Sequence, residues 1–225
     1  MRFLVVALLF LLGASAPALS RAPAPDWLAA IASTPEGGVR MGNPAAPVKL
    51  VEYGSRSCPV CGRFAAESSD LRTKYVASGK VSYEYREFLI HPQDIGAVVI
   101  GKCVSDRNFF IVLDAMYANQ GIFNHRAETM RITRYDQIAA MPSLQAAKAW
   151  SDDLGYTDLV RQAGMTDAKI NACFANPQAI PTLARRLEAA QKAGVDGTPA
   201  FFINGRRAKA ILWSQLEPLL KAAGG

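Results

Sequence analysis

Apolar and polar positions alternate with changing period along this chain, and the changes mark its elements. Phe3 to Leu12 is an unbroken apolar run behind the positive start Met1-Arg2, and small residues at Ala14-Ser15-Ala16 and Ala18-Leu19-Ser20 follow it. Val48-Lys49-Leu50-Val51-Glu52-Tyr53 predicts a strand, and Asn43-Pro44-Ala45-Ala46-Pro47 is the turn that feeds it. Gly37 to Gly42 predicts a short edge strand before that turn. From Gly62 to Ser78 the spacing of Phe64, Leu71 and Tyr75 predicts a helix, and Val81 to Phe88 alternates as a second strand. Strand, helix, strand in this order implies a right-handed parallel crossover.

Between about Asp94 and Ala193 the pattern becomes Ala-rich and helical, with breaks at Gly121, Pro142, Gly155, Gly164 and Pro177. Strand character returns at Pro199 to Ile203, where Asn204-Gly205 is a strong hairpin signal and Arg207 to Ile211 is the expected partner strand. Trp213 to Ala222 predicts a closing amphipathic helix with Leu216, Leu219 and Leu220 on its inner side. The pattern therefore predicts an α/β unit interrupted by a helical insertion, residues 94–193, between its βαβ and ββα halves. The domain is expected over 37–225, after a signal peptide (1–20) and an extended, Pro-rich leader (21–36).

Composition changes this picture little. Half of the 225 residues are hydrophobic and a fifth charged, enough to bury one core without staples. The net charge of +6 is dispersed, with only small clusters such as Arg206-Arg207 and Lys209, so a nucleic-acid partner is not expected. The N-terminal run is too short for a permanent membrane span and reads as a cleaved secretory signal. Export in turn makes disulfides sustainable, so the four cysteines can be counted as two pairs.

Cys58-Pro59-Val60-Cys61 carries the candidate chemistry, because it lies between a predicted strand and a predicted helix. A cysteine at a helix N-terminus faces unpaired backbone N–H groups and the positive end of the dipole, which favours thiolate. A zinc site would need two further ligands, and Cys103, Cys173, His91 and His125 are scattered, so no metal is expected. A merely structural bridge across so short a loop would restrain the unfolded chain little. Redox exchange is the remaining reading, and no nucleotide, flavin or other cofactor motif stands out.

Leu50 to Cys61, with Gly197-Thr198-Pro199-Ala200-Phe201-Phe202-Ile203-Asn204-Gly205 before the closing hairpin, resembles the DsbA-like thiol:disulfide oxidoreductases of the thioredoxin superfamily. The resemblance implies a thioredoxin-like fold and spans nearly the whole mature chain. It also implies that Cys58 is the exposed nucleophile, Cys61 the buried resolving partner, and Thr198-Pro199 a cis-proline loop that pairs with substrate backbone. Glu52 resembles the family's buried acid that moves a proton to or from the resolving cysteine; strand alternation alone leaves open whether it faces solvent instead. Val60 and Ser57 depart from the best-known patterns, and the loss of an imidazole donor at Val60 implies a less depressed Cys58 pKa and a less oxidising potential.

Cys103 and Cys173 both fall in the helical insertion, and a second disulfide between them is expected, an arrangement that resembles a subset of this family. Two buried free thiols are the alternative. His91, before Pro92, is expected to shape a turn, and His125 has no visible partner. The implied function is oxidation of cysteine-bearing, newly exported chains by a monomeric periplasmic protein that a membrane partner re-oxidises. Reduction or isomerisation, and a redox-inactive chaperone-like binding module, are the competing readings.

Overall fold

A computed structural model describes residues 25–225; the signal segment 1–20 and the start of the leader lie outside the described residues. A six-stranded sheet runs β1 (Ile31–Ser33), β2 (Val39–Met41), β4 (Val81–Glu87), β3 (Val48–Gly54), β5 (Ala200–Ile203), β6 (Arg206–Ala208) across its width. β3 and β4 are parallel, joined by α1 (Pro59–Glu67), while every other pairing is antiparallel. Between β4 and β5 the insertion contributes α2 (Asp94–Gly101), α3 (Asp106–Ala118), α4 (Gln120–Thr133), α5 (Tyr135–Ala139), α6 (Ser143–Leu154), α7 (Tyr156–Gln162), α8 (Asp167–Phe174) and α9 (Ala179–Lys192). α10 (Trp213–Ala222) closes the chain.

Four expectations are corrected. Val39–Met41 is interior, because β1, three residues inside the stretch read as leader, pairs with it and forms the sheet edge. That strand is too short to show a period, and it is held by Asp106 of α3, which accepts from Ser33 N and Oγ at 2.7 Å each. The helix expected over 62–78 starts three residues earlier, with Pro59 in its first turn, and breaks at Ser68. It resumes as a π-helical turn, Leu71–Val76, in which Ala77 N reaches back five residues to Arg72 O, so that Leu71 and Tyr75 still face the core. The strand expected over 207–211 is the shorter β6, since the chain turns away after Ala208. Leu219 is 38% exposed; it lies a hundred degrees round α10 from Leu220, which with Leu216 packs inward.

Strand register determines what faces what. Val48, Leu50 and Glu52 share the β3 face that packs on the main core, whereas Tyr53 faces a second, smaller cluster with Phe88, Ala190, Val195 and Ala200. The Asn204-Gly205 turn has both residues at positive φ, as a type I′ hairpin requires, and Asn204 Oδ1 accepts from Lys49 N at 2.8 Å. β5 is thereby pinned against β3 with Ala200 opposite Tyr53.

Cys103 and Cys173 form a disulfide across 70 residues, tying the α2–α3 junction to α8. Replacing both by alanine is expected to lower the unfolding free energy by about 4 kcal/mol on the chain-entropy view. Denaturant titration of the oxidised parent and the double variant measures this; a loss under about 1 kcal/mol would mean that packing already restrains that loop.

Candidate active site

Cys58 is the N-cap of α1, with extended φ/ψ of −72° and 118°, and its sulfur accepts from Cys61 N at 3.4 Å. Capping is therefore performed by the sulfur itself, which places backbone donors and the helix dipole on one side of it. On the other side stands Thr198, because the β5 register puts the cis Thr198-Pro199 bond beside the end of β3. The Cys58 thiol donates to Thr198 O at 3.3 Å. Both cysteines are free thiols here.

The two thiols are driven apart electrostatically. The Cys58 pKa is lowered to about 5, first by the hydrogen bond from the Cys61 thiol and then, against some desolvation, by Thr198 and the backbone N–H groups of Cys61 and Val60. Burial pushes the Cys61 thiol well up, and the charges of Glu52 and Cys58 add to it. One proton thus stays on Cys61 while Cys58 is a thiolate at neutral pH. The expected contrast in exposure is corrected, however. Cys58 is only 3% exposed against 0% for Cys61, because the Thr198 loop covers its sulfur.

Glu52 settles on the buried face, 1% exposed, and shares that face with Tyr83 and Tyr85 of β4. Tyr83 donates to Glu52 Oε2 at 2.7 Å. Burial raises the Glu52 pKa to about 7, partly offset by the Tyr83 hydrogen bond and by Arg72. A cavity of about 380 Å³ extends from Glu52 past Tyr83 and Arg72 to Asp114, whose carboxylate pairs with Arg72 at the surface. The acid is therefore buried yet borders a cavity.

The turn 55–58 is held by groups that the sequence did not single out. Arg56, 1% exposed, forks onto the Glu87 carboxylate, with Nη2 to Oε1 at 2.6 Å, and stacks over Phe109. Asp94, buried in the first turn of α2, accepts from Ser55 Oγ, Ser57 N, Ile90 N and His91 N at 2.9–3.2 Å. Gln120 donates to the carbonyls of Arg56 and Cys58, and Asn124 to that of Ser57, so α4 clamps the same turn. His91 does more than shape its turn, since Nδ1 lies 2.7 Å from Ser57 Oγ. A cleft of about 640 Å³ opens beside Pro59, lined by Ser57, His91, Asn124, Tyr135 and Trp150. The available signal for these residues was weak: Arg56 and Ser57 sit inside the motif, but their partners are 31 to 67 positions away.

Cys103 and Cys173 are not part of this site, and no cluster of three or more metal-ligating side chains exists among the described residues. His125 contributes no side chain to it either.

A sequence profile of the family described as Thioredoxin matches residues 34–222. A Rickettsia bellii protein named as a candidate protein-disulfide oxidoreductase is 27% identical over 176 residues, covering 76% of this chain and 58% of that protein. The chain thus spans little more than half the length of this and the other rickettsial relatives it matches. Among solved structures, a protein-disulfide isomerase from Novosphingobium aromaticivorans superposes with a TM-score of 0.74 at 29% identity, over 81% of this chain and 95% of that one. Wolbachia pipientis alpha-DsbA1 superposes with a TM-score of 0.65 at 18% identity, over 82% and 90%, a likeness of fold alone.

Three outcomes follow from the geometry. Thiolate absorbance of the reduced protein should titrate with a midpoint near pH 5. Because this folded pKa lies below the unfolded value of about 8.5, the stability it lends the reduced form is complete above that value and fades as pH falls toward 5. Unfolding curves of reduced and oxidised protein should shift against each other accordingly over that window. Glu52 has the opposite sign: its raised pKa makes the fold lose stability as pH rises from about 4.3 to about 7. Glu52→Gln should flatten that slope. Arg56→Met leaves Glu87 buried without its partner and should cost about 3–5 kcal/mol in a denaturant titration.

Proposed function

This chain belongs to the thioredoxin family that it matches over residues 34–222, and from that premise we propose that it is a thiol:disulfide oxidoreductase acting on cysteine-bearing protein chains. The opposed pKa values of Cys58 and Cys61 are the observation that carries the proposal. A thiol that is thiolate at neutral pH is both a ready nucleophile and a good leaving group, while its partner stays protonated.

Acting as an oxidase, the protein begins with a Cys58–Cys61 bond. A client thiolate attacks Cys58 Sγ, the bond breaks, and Cys61 leaves with the electron pair and takes a proton. Glu52, with a pKa of about 7 and electrostatically coupled to Cys61, is the group suited to supply it. A second client thiolate then attacks the client sulfur of the mixed disulfide, and Cys58 leaves as a thiolate stabilised by the α1 N-terminus. The client loses two electrons and the cysteine pair gains them. Thr198, whose loop lies against Cys58, offers the client a backbone edge, and the cleft at Pro59 gives room for its side chains.

The working direction we favour is oxidation of newly exported chains in the periplasm, with a membrane partner restoring the disulfide; the apolar run Phe3 to Leu12 behind Met1-Arg2 supports export. A reductive or isomerising role is the second reading, favoured by the likeness to the Novosphingobium isomerase.

Equilibration in glutathione buffers of a Cys103→Ala/Cys173→Ala background separates the two. A Cys58–Cys61 potential of about −120 to −180 mV supports the oxidase, and one near about −270 mV overturns it in favour of a reductase. The potential should also fall by about 30 mV per pH unit above pH 5, where reduction takes up one proton, and by about 59 mV below it, where it takes up two.

A further inference from the structure

A cavity of about 790 Å³ lies away from Cys58, between β4, α2 and α9, and its wall includes both cysteines of the second disulfide. Its charges are unbalanced. Glu87 is engaged by Arg56, and Glu36 stands 3.8 Å from Arg86. Arg185 turns to Thr182 Oγ1 at 3.0 Å, and Lys102 and Arg186 remain, with no ion pair among the described residues. Lys102 donates to Gly37 O at 3.1 Å and lies over the Phe109 ring, while the Arg186 guanidinium lies against the Gly37 backbone, where a Cβ would overlap it. Burial lowers the pKa of both, against the attraction of the Glu87 carboxylate that Arg56 already engages, so each is partly stripped of water with no counter-ion in direct contact.

We propose that this cleft is a second exchange site, in which Lys102 and Arg186 bind the carboxylates of a small thiol and present its sulfur to Cys103. Cys103 is the half-buried residue of the pair and Cys173 is 4% exposed, so attack falls on Cys103. The small thiolate bonds to Cys103 Sγ, the Cys103–Cys173 bond breaks, and Cys173 leaves with the electron pair and takes a proton. Lys169 O, 3.0 Å from Cys173 Sγ, is already placed to accept a hydrogen bond from that thiol. A second small thiol attacks the mixed disulfide, releasing Cys103 and a symmetrical small-molecule disulfide. Two small thiols are oxidised and the protein pair is reduced, and the same path run backwards closes the bond. Cys103 lies just past the end of α2 and Cys173 in the last turn of α8, helix ends that do not favour thiolate, so the pair left to itself exchanges slowly and Lys102 and Arg186 raise the local concentration of the small thiol. This site does not depend on the role given to Cys58 and Cys61.

The test uses the full chain with Cys58→Ala/Cys61→Ala and the second disulfide intact. Its opening is followed by thiol trapping and mass spectrometry in glutathione and in 2-mercaptoethanol at equal thiolate concentration. Glutathione should open it about tenfold faster, and that preference should vanish in Lys102→Gln/Arg186→Gln. Equal rates for the two thiols, or a preference that survives both substitutions, would overturn the proposal. Should those substitutions disturb folding, S-methylglutathione decides on the parent chain: it cannot exchange, and it should slow glutathione several-fold by occupying the cleft. Absence of any slowing counts against the site.

Discussion

Immobilising four residues, Ser55 to Cys58, is the constraint on which the rest of this structure depends. A thiolate is stabilised by donors only if they are held in place before the charge appears, and a short turn between a strand and a helix has no such rigidity of its own. Here its side chains and carbonyls are taken up one by one: Arg56 by Glu87, Ser55 and Ser57 by Asp94, and three carbonyls by Gln120 and Asn124. Glu87 ends β4, whereas Asp94, Gln120 and Asn124 belong to the insertion. The helical insertion is thus part of the site's scaffold and not an appendage to the sheet.

The same division of labour explains the polarity of the core. Glu52, Tyr83 and Tyr85 are buried polar groups on one face of the central strands, joined by Tyr117 of α3 and linked by the Tyr83–Glu52 and Tyr85–Tyr117 hydrogen bonds. An apolar quartet would pack there at lower cost. What the polar set adds is a titratable acid near neutrality, electrostatically coupled to the Cys61 thiol, as the proposed exchange requires.

Much of this was legible in the sequence, and the reasons are physical. β3, β4 and the Asn204-Gly205 hairpin announce themselves because their signals are local: period-two alternation and a turn that demands positive φ. Cys58 and Cys61 are legible because spacing and helix onset are adjacent in the chain. β1 was missed because three residues cannot display a period, and the π-helical turn because its extra residue leaves the apolar spacing of Leu71 and Tyr75 intact. The face of Glu52 needed the register against Tyr85 and Phe201. The Arg56–Glu87 pair and the Ser57–His91 contact are long-range facts of folding, which no window on the chain contains.

The sheet ends on both sides in a strand of three residues: β1, held to α3 by Asp106, and β6, which carries the exposed Arg206 and Arg207. A protein proposed to meet extended, half-folded chains runs a hazard of its own, because any long open edge would recruit them as extra strands and seed aggregates. Short, tethered or cationic borders deny such chains a template. On the function proposed above, backbone pairing is left to the loop at the cis Thr198-Pro199 bond, where a visiting chain would be held for one exchange and released.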